Sequence, residues 1–175
     1  GQWESALALW HAMEQLSLQP NLRTYGALLG ACDKGGQWEW VLALWHRMLE
    51  DGLEPDRAAY QAAVGAFGRS EQWDWVLSLF LDSIGKGLPS RHDTYNHALT
   101  ACANTARWEL ALELLERHEE FCKGFKVNVV AYETVVSAME AAGCSTQAER
   151  LYWRAIEEGV IQPVQTENMV NLHGL

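Results

Sequence analysis

The sequence lacks the features of several protein classes. No stretch of about 18 uncharged apolar residues occurs, so we expect no membrane-spanning helix. Strand-like alternation of apolar and polar residues is absent as well, which argues against a sheet. The 4 cysteines include no Cys-x-x-Cys pair. The sequence therefore favours neither a zinc site nor a disulfide framework, and a reducing compartment is compatible with all four.

Catalytic patterns are missing too. We find no nucleophile with its base, no phosphate-binding glycine loop and no pair of carboxylates. His118, Glu119, Glu120 and Cys122 lie close together in the chain, but consecutive helical residues point in different directions, whereas metal ligands must converge. We therefore expect no enzyme activity, no metal and no cofactor in this chain.

A long-range repeat is present instead. The chain begins GQWESALALW at 1–10 and reads GQWEWVLALW at 36–45. Two series of aromatic residues continue this spacing, at steps of 35 for Trp3, Trp38, Trp73 and Trp108, and at steps of 35, 35 and 37 for Tyr25, Tyr60, Tyr95 and Tyr132. A fixed period of this length indicates stacked supersecondary units. The predicted array covers 1–164, as a half unit at 1–21 and full units at 22–56, 57–91, 92–128 and 129–164.

Each unit begins with a predicted helix. In the first full unit Tyr25, Leu28 and Cys32 recur at helical spacing. The small residues Gly30 and Ala31 lie between them, and small residues recur at this place in the other units. Because glycine weakens a helix, we expect that close packing against a neighbouring helix requires Gly30.

A second predicted helix completes the unit. Its broad apolar face runs from Trp38 to Met48, and it ends at Gly52, with Pro55 beyond. Such a helix packs both on its own partner and on the next unit, as in a solenoid. The sequence therefore predicts an all-α, right-handed α-α solenoid with nine helices between 1 and 164.

The repeat pattern carries a family resemblance. The spacing T-Y-x-x-L-x-x-A-C-x-K-x-G, followed by W-x-x-x-L-x-L-[FW]-x-x-M and the ending G-L-x-P-[DN], resembles the pentatricopeptide repeat family over 1–164. The tetratricopeptide repeat is the alternative, but its period is 34 and the period here is a steady 35. The resemblance implies that the first helices line a groove that binds single-stranded RNA at one base per repeat.

The resemblance also implies site residues. The residue after each tyrosine and the last residue of each repeat would read one base, which gives the pairs Gly26 with Asp56, Gln61 with Arg91, Asn96 with Asn128, and Glu133 with Val164. Of these, Asn96 with Asn128 resembles a pyrimidine-reading pair. Lys34 and Arg69 take the positions of phosphate contacts. The second position, usually an aliphatic residue that sandwiches the base, departs from the pattern at Arg23, Ala58 and Asp93.

The distribution of charge leaves the ligand open. The chain has 13 basic and 23 acidic residues, a net charge of -10, and phosphate contacts dominate nucleic-acid affinity. The first-helix segments of the four units nevertheless sum to zero, with a mildly basic end and an acidic end. The excess negative charge therefore lies in second helices, linkers and tail, and the groove lacks the usual basic footprint.

A second function is a protein-binding scaffold within an organellar assembly. Its candidate contacts are Trp40 and Trp75, which share a position where other units have Ser5 and Leu110. The simpler interpretation is that both tryptophans pack between adjacent second helices, since large aromatic residues are usually buried. Exposed tryptophans would instead be anchors for a partner.

The two ends of the chain add weaker hints. The chain starts inside a repeat and without methionine, so we expect it to be a fragment, and a targeting segment is not within it. The family resemblance alone implies a mitochondrion or plastid. The tail at 165–175 includes VNLHG at 170–174, which resembles the opening strand of the small MutS-related domain, and this would imply nucleic-acid processing; an ordinary loose terminus is the alternative.

Overall fold

The computed structural model describes residues 1–121, 127 and 129–161. In these ranges the chain is helical and contains no strand, as predicted. The helices are α1 (Gln2–Gln15), α2 (Leu22–Lys34), α3 (Trp38–Glu50), α4 (Arg57–Arg69), α5 (Trp73–Gly85), α6 (His92–Asn104), α7 (Trp108–Glu116), α8 (His118–Phe121), α9 (Val129–Ala141) and α10 (Ser145–Glu157). Since α8 is a single turn that follows α7 after one residue, nine longer helices occur in the described ranges, which confirms the predicted number. None of the described helices is long and apolar enough to cross a bilayer.

Side-chain caps fix the starts of two first helices. Asn21 Oδ1 accepts the backbone N–H of Thr24 at 3.0 Å at the start of α2. Asp56 Oδ1 accepts the N–H of Ala59 at 2.9 Å at the start of α4. Such a cap stabilises a helix by about 1 kcal/mol, because the first N–H groups have no partner within the helix. Asn21 and Asp56, which close the Pro-Asn and Pro-Asp endings of the repeat pattern, therefore cap the first helix of the next unit.

Left-handed glycines follow the ends of the second helices α3, α5 and α10. α3 ends at Glu50, and Gly52 follows with φ of 73°. The N–H of Leu53 then donates to the carbonyl oxygen of Met48 at 3.1 Å. Glycine adopts this backbone conformation without the steric cost of a Cβ atom. The predicted end of the second helix is thus confirmed.

The helices pack as a solenoid. First helices form a row in which α2 contacts α4, α4 contacts α6, and α6 contacts α9. Three second helices pack both on the first helix of their own unit and on that of the next unit: α3 on α2 and α4, α5 on α4 and α6, and α7 on α6 and α9. This two-sided packing accounts for the broad apolar face of the second helices.

The periodic tyrosines join the two helices of a unit. All four are buried, and their hydroxyls donate to groups on the second helix or at the residue that follows it: Tyr25 to Asp51 Oδ2 at 2.6 Å, Tyr60 to Asp82 Oδ2, Tyr95 to the Leu114 carbonyl oxygen at 3.0 Å, and Tyr132 to Glu158 Oε2 at 2.6 Å. A buried hydroxyl without a partner would destabilise the fold. The tyrosine therefore combines an apolar ring in the core with a hydrogen bond at its edge.

The Tyr132 contact predicts a loss of stability at alkaline pH. Burial, with the hydrogen bond to Glu158 as a second cause, raises the pKa of Tyr132 from 10.0 to about 12. The unfolded chain releases this proton near pH 10 whereas the native state keeps it, so the contribution is complete below pH 10 and is lost as pH rises toward 12. We expect the stability difference between the wild type and Tyr132→Phe to shrink by on the order of 1 kcal/mol between pH 9 and pH 11.

Urea unfolding at several pH values measures this difference. Tyr152→Phe is a matched control, because Tyr152 lies on the second helix of the same unit and is only partly buried. A difference between wild type and Tyr132→Phe that is independent of pH would contradict the prediction.

Candidate functional site

A cleft opens between the neighbouring first helices α4 and α6. Its volume is about 290 Å³, and its walls include Gln61 and Arg69 of α4, Arg91 and Asp93 at the start of α6, and Asp33 of α2. We call it the α4–α6 cleft. Three of the residues that the sequence analysis assigned to RNA therefore lie around one cavity: Gln61, Arg91 and Arg69. Its size is at the lower end of the range for small-molecule sites, about 300–1,000 Å³.

Gln61 carries an unused hydrogen-bonding group. Its Nε2 is buried and has no hydrogen-bond partner among the described residues. Asn96, at the equivalent position of the next unit, has a buried Oδ1 that also lacks a partner in that part of the chain. Leaving a buried polar group unpaired costs about 1–3 kcal/mol. A ligand that supplied the missing partners would recover this cost.

Arg69 is held by the preceding unit. Its guanidinium forms an ion pair with the Asp33 carboxylate, and its Nη2 also donates to the Asp33 carbonyl oxygen at 3.1 Å. Gly65 lies beneath this pair, and a Cβ atom there would be 3.1 Å from Asp33 Oδ1. Arg69 therefore links α4 to the C-terminal end of α2. The sequence alone does not single out Asp33, because its partner is 36 residues away.

His97 forms part of the cleft wall. A Cβ atom added to Gly68 would be 2.4 Å from His97 Nδ1, so the imidazole packs directly on the glycine. Burial lowers the pKa of His97, the Arg69 charge lowers it further, and Asp93 opposes both. The ring is thus neutral at pH 7. Sequence reasoning missed His97, since the other units have no histidine at this position.

The other described residues assigned to base reading do not line the α4–α6 cleft. Gly26 is partly buried and offers no side chain, Asp56 Oδ1 caps α4, and Glu133 is exposed on α9. Asn128 and Val164 lie outside the described residues, so two of the four pairs have one described member only. Lys34, the other phosphate candidate, is exposed at the last residue of α2.

Comparison with known proteins identifies the repeat. Residues 8–70 match the model of the pentatricopeptide repeat domain. Residues 8–70 contain pentatricopeptide repeats. This confirms the family resemblance and decides against the tetratricopeptide alternative. No curated protein is significantly similar to the chain in sequence.

Solved structures share the pentatricopeptide fold. The protein PPR10 from maize is 25% identical over 91% of this chain and 22% of its own, with a TM-score of 0.61. Nuclear proteinaceous RNase P 2 from A. thaliana is 20% identical over 87% of this chain and 34% of its own, with a TM-score of 0.70. The pentatricopeptide domain of protein-only RNase P 1 from Arabidopsis thaliana is 14% identical over 93% of this chain and 84% of its own, with a TM-score of 0.73. The chain thus spans about a fifth to a third of the first two proteins.

The two candidate contact tryptophans differ in their surroundings. Trp75 stacks on Phe67 with ring centroids 5.8 Å apart and meets His46 of α3 edge-on at 5.9 Å. Trp40 is 36% exposed. Trp75 therefore packs between helices, as the simpler interpretation holds, and Trp40 is the more accessible of the two.

The tail at 165–175, with its resemblance to the MutS-related domain, lies outside the described residues.

Proposed function

We propose that the pentatricopeptide array binds single-stranded RNA along its first helices. The observation that carries the proposal is the α4–α6 cleft, which brings the buried Nε2 of Gln61, unpaired among the described residues, together with Arg91 and Arg69. Nucleobase edges supply the acceptors that such donors require. One cavity between two successive first helices agrees with one base per repeat.

The related structures support the same ligand. PPR10 has been solved with an 18-nt psaJ RNA element, and the pentatricopeptide domain of protein-only RNase P 1 with tRNA. By family resemblance we extend the proposal to RNA metabolism in a mitochondrion or plastid. The array would bind and position RNA, and Asn96 with Asn128 would read a pyrimidine.

Reversing two groove charges tests the proposal. We expect Lys34→Glu/Arg69→Glu to bind short random-sequence single-stranded RNA about tenfold more weakly than the wild type, because both residues would lie near phosphates. The slope of log K against log salt should become shallower by about 0.7–1.4, because fewer counterions are released when one or two phosphate contacts are lost. Fluorescence anisotropy with labelled RNA at several salt concentrations measures both quantities.

The double variant Arg107→Glu/Arg150→Glu is a matched control, because it makes the same change in net charge at the start of α7 and on α10, outside the cleft. Equal losses in the two double variants would show a general charge effect and contradict the groove. No binding by the wild type would overturn the proposed function.

The accessible Trp40 favours one alternative, a protein-binding scaffold in an organellar complex. An exposed tryptophan is a typical anchor at protein interfaces. In that case the groove charges would have no effect on assembly, and replacing Trp40 would release the partner subunits.

A further inference from the structure

We propose that Asp33 sets the strength of phosphate binding at Arg69 by competing with phosphate for the guanidinium. This inference rests on the proposed function, because the phosphate is that of a strand lying along the first helices. It makes Asp33 a determinant of affinity that acts from the preceding unit.

The contacts of Arg69 are built for this competition. Asp33 accepts two hydrogen bonds from Arg69 Nη2, one at a carboxylate oxygen and one at its carbonyl oxygen at 3.1 Å. The absence of a side chain at Gly65 leaves space for the pair. Asp33 is 19% exposed and Arg69 49% exposed. A ligand can therefore reach the guanidinium from solvent and compete with Asp33 for its donors.

Displacing Asp33 has an electrostatic consequence. A phosphate that takes the Arg69 donors leaves the Asp33 carboxylate unpaired beside a second negative charge. The freed carboxylate also recruits a cation, which offsets the counterion that the phosphate releases. Because a partly exposed ion pair is weak, the phosphate can still displace it. The result is weaker binding with a smaller dependence on salt than a free arginine would give.

Asp33→Asn removes the charge and keeps the shape. The asparagine Oδ1 still accepts a hydrogen bond from Arg69, so the variant preserves the link between α2 and α4. We expect Asp33→Asn to bind random-sequence single-stranded RNA about three- to tenfold more tightly than the wild type at low salt. The salt slope should become steeper by about 0.7, the value for one phosphate contact on a single strand.

Two controls isolate the contact. Asp74→Asn makes the same change in charge at a second-helix aspartate that lies 3.5 Å from Arg107, outside the cleft, and it should leave the affinity within about twofold. In the Arg69→Gln background, Asp33→Asn should give no gain in affinity, because the guanidinium for which Asp33 and phosphate compete is absent. A gain that persists without Arg69, or an equal gain from Asp74→Asn, would overturn the inference.

A second probe separates the inference from the proposed function. Inorganic tripolyphosphate presents phosphate without bases, and calorimetry measures its binding to the same proteins. We expect Asp33→Asn to bind it about three- to tenfold more tightly than the wild type, whether or not RNA binds. If RNA fails to bind and tripolyphosphate shows this gain, the proposed function is wrong and the competition stands. If RNA binds the wild type and Asp33→Asn equally well, the inference is wrong and the proposed function stands.

Discussion

Trp75→Ala is expected to lower the free energy of unfolding by about 2–4 kcal/mol, whereas Trp40→Ala is expected to lower it by less than about 1 kcal/mol. Trp75 stacks on Phe67 at 5.8 Å and contacts His46 of the preceding second helix at 5.9 Å. Its removal leaves a gap between three helices, and large aromatic-to-alanine changes in cores cost about 3–5 kcal/mol, less where the ring is partly exposed. The residue equivalent to Phe67 in the preceding unit is Cys32, which offers Trp40 no ring to stack on.

Urea unfolding followed by circular dichroism compares the two variants. They are controls for each other, because both replace tryptophan by alanine at the same position of the repeat. Similar losses would show that Trp40 packs as closely as Trp75 and would remove the structural basis of the scaffold alternative. Small losses in both would contradict the packing of Trp75 and leave both tryptophans available to a partner.

The periodic core could be predicted from the sequence because it depends on local spacing. Tyr25, Tyr60, Tyr95 and Tyr132 are each at most 4% exposed, as their shared position implies. A buried residue that recurs at the same point of every unit packs at the same place between helices, since α3, α5 and α7 each pack on two first helices. The solenoid follows from this regularity without knowledge of any single contact.

The cleft was predictable only in part. Gln61, Arg91 and Arg69 were expected from the family resemblance, and they do lie around one cavity. The pairing of Arg69 with Asp33 was not expected, because it depends on how two first helices sit side by side and on which rotamer the arginine adopts. His97 was missed for a related reason, since it replaces smaller or polar residues at one repeat only. Contacts that break the repeat cannot be read from its period.

The contacts of the glycines could not be predicted from the repeat period either. We expected close packing to require Gly30, but a Cβ atom there would have no neighbour within 4 Å, so that expectation was wrong. Gly30 lies on α2, where α4 is the only first helix packed against it in the described part of the chain. The equivalent Gly65 does have close neighbours, Asp33 and Arg69. Two glycines at one repeat position therefore differ because their surroundings differ.

The surroundings of Gly68 and Gly30 predict opposite effects for the same substitution at these two glycines. Gly68→Ala is expected to lower the free energy of unfolding by about 1–3 kcal/mol, because the new Cβ atom would lie 2.4 Å from His97 Nδ1 and the imidazole must leave its place. Gly30→Ala is expected to raise it by up to about 1 kcal/mol, because alanine favours the helix and meets open space. Urea unfolding at pH 7 measures both changes.

His97→Ala supplies the decisive control for Gly68. If the clash with the imidazole causes the loss, Gly68→Ala should cost little or nothing in the His97→Ala background, and the double-mutant cycle should give a coupling of about 1–3 kcal/mol. Since His97 and Arg69 both line the α4–α6 cleft, the displaced ring should also weaken RNA binding in the single variant and not in the double one. A loss that is the same with and without His97 would mean that Gly68 meets the backbone of α6 instead, and that the helices themselves must separate.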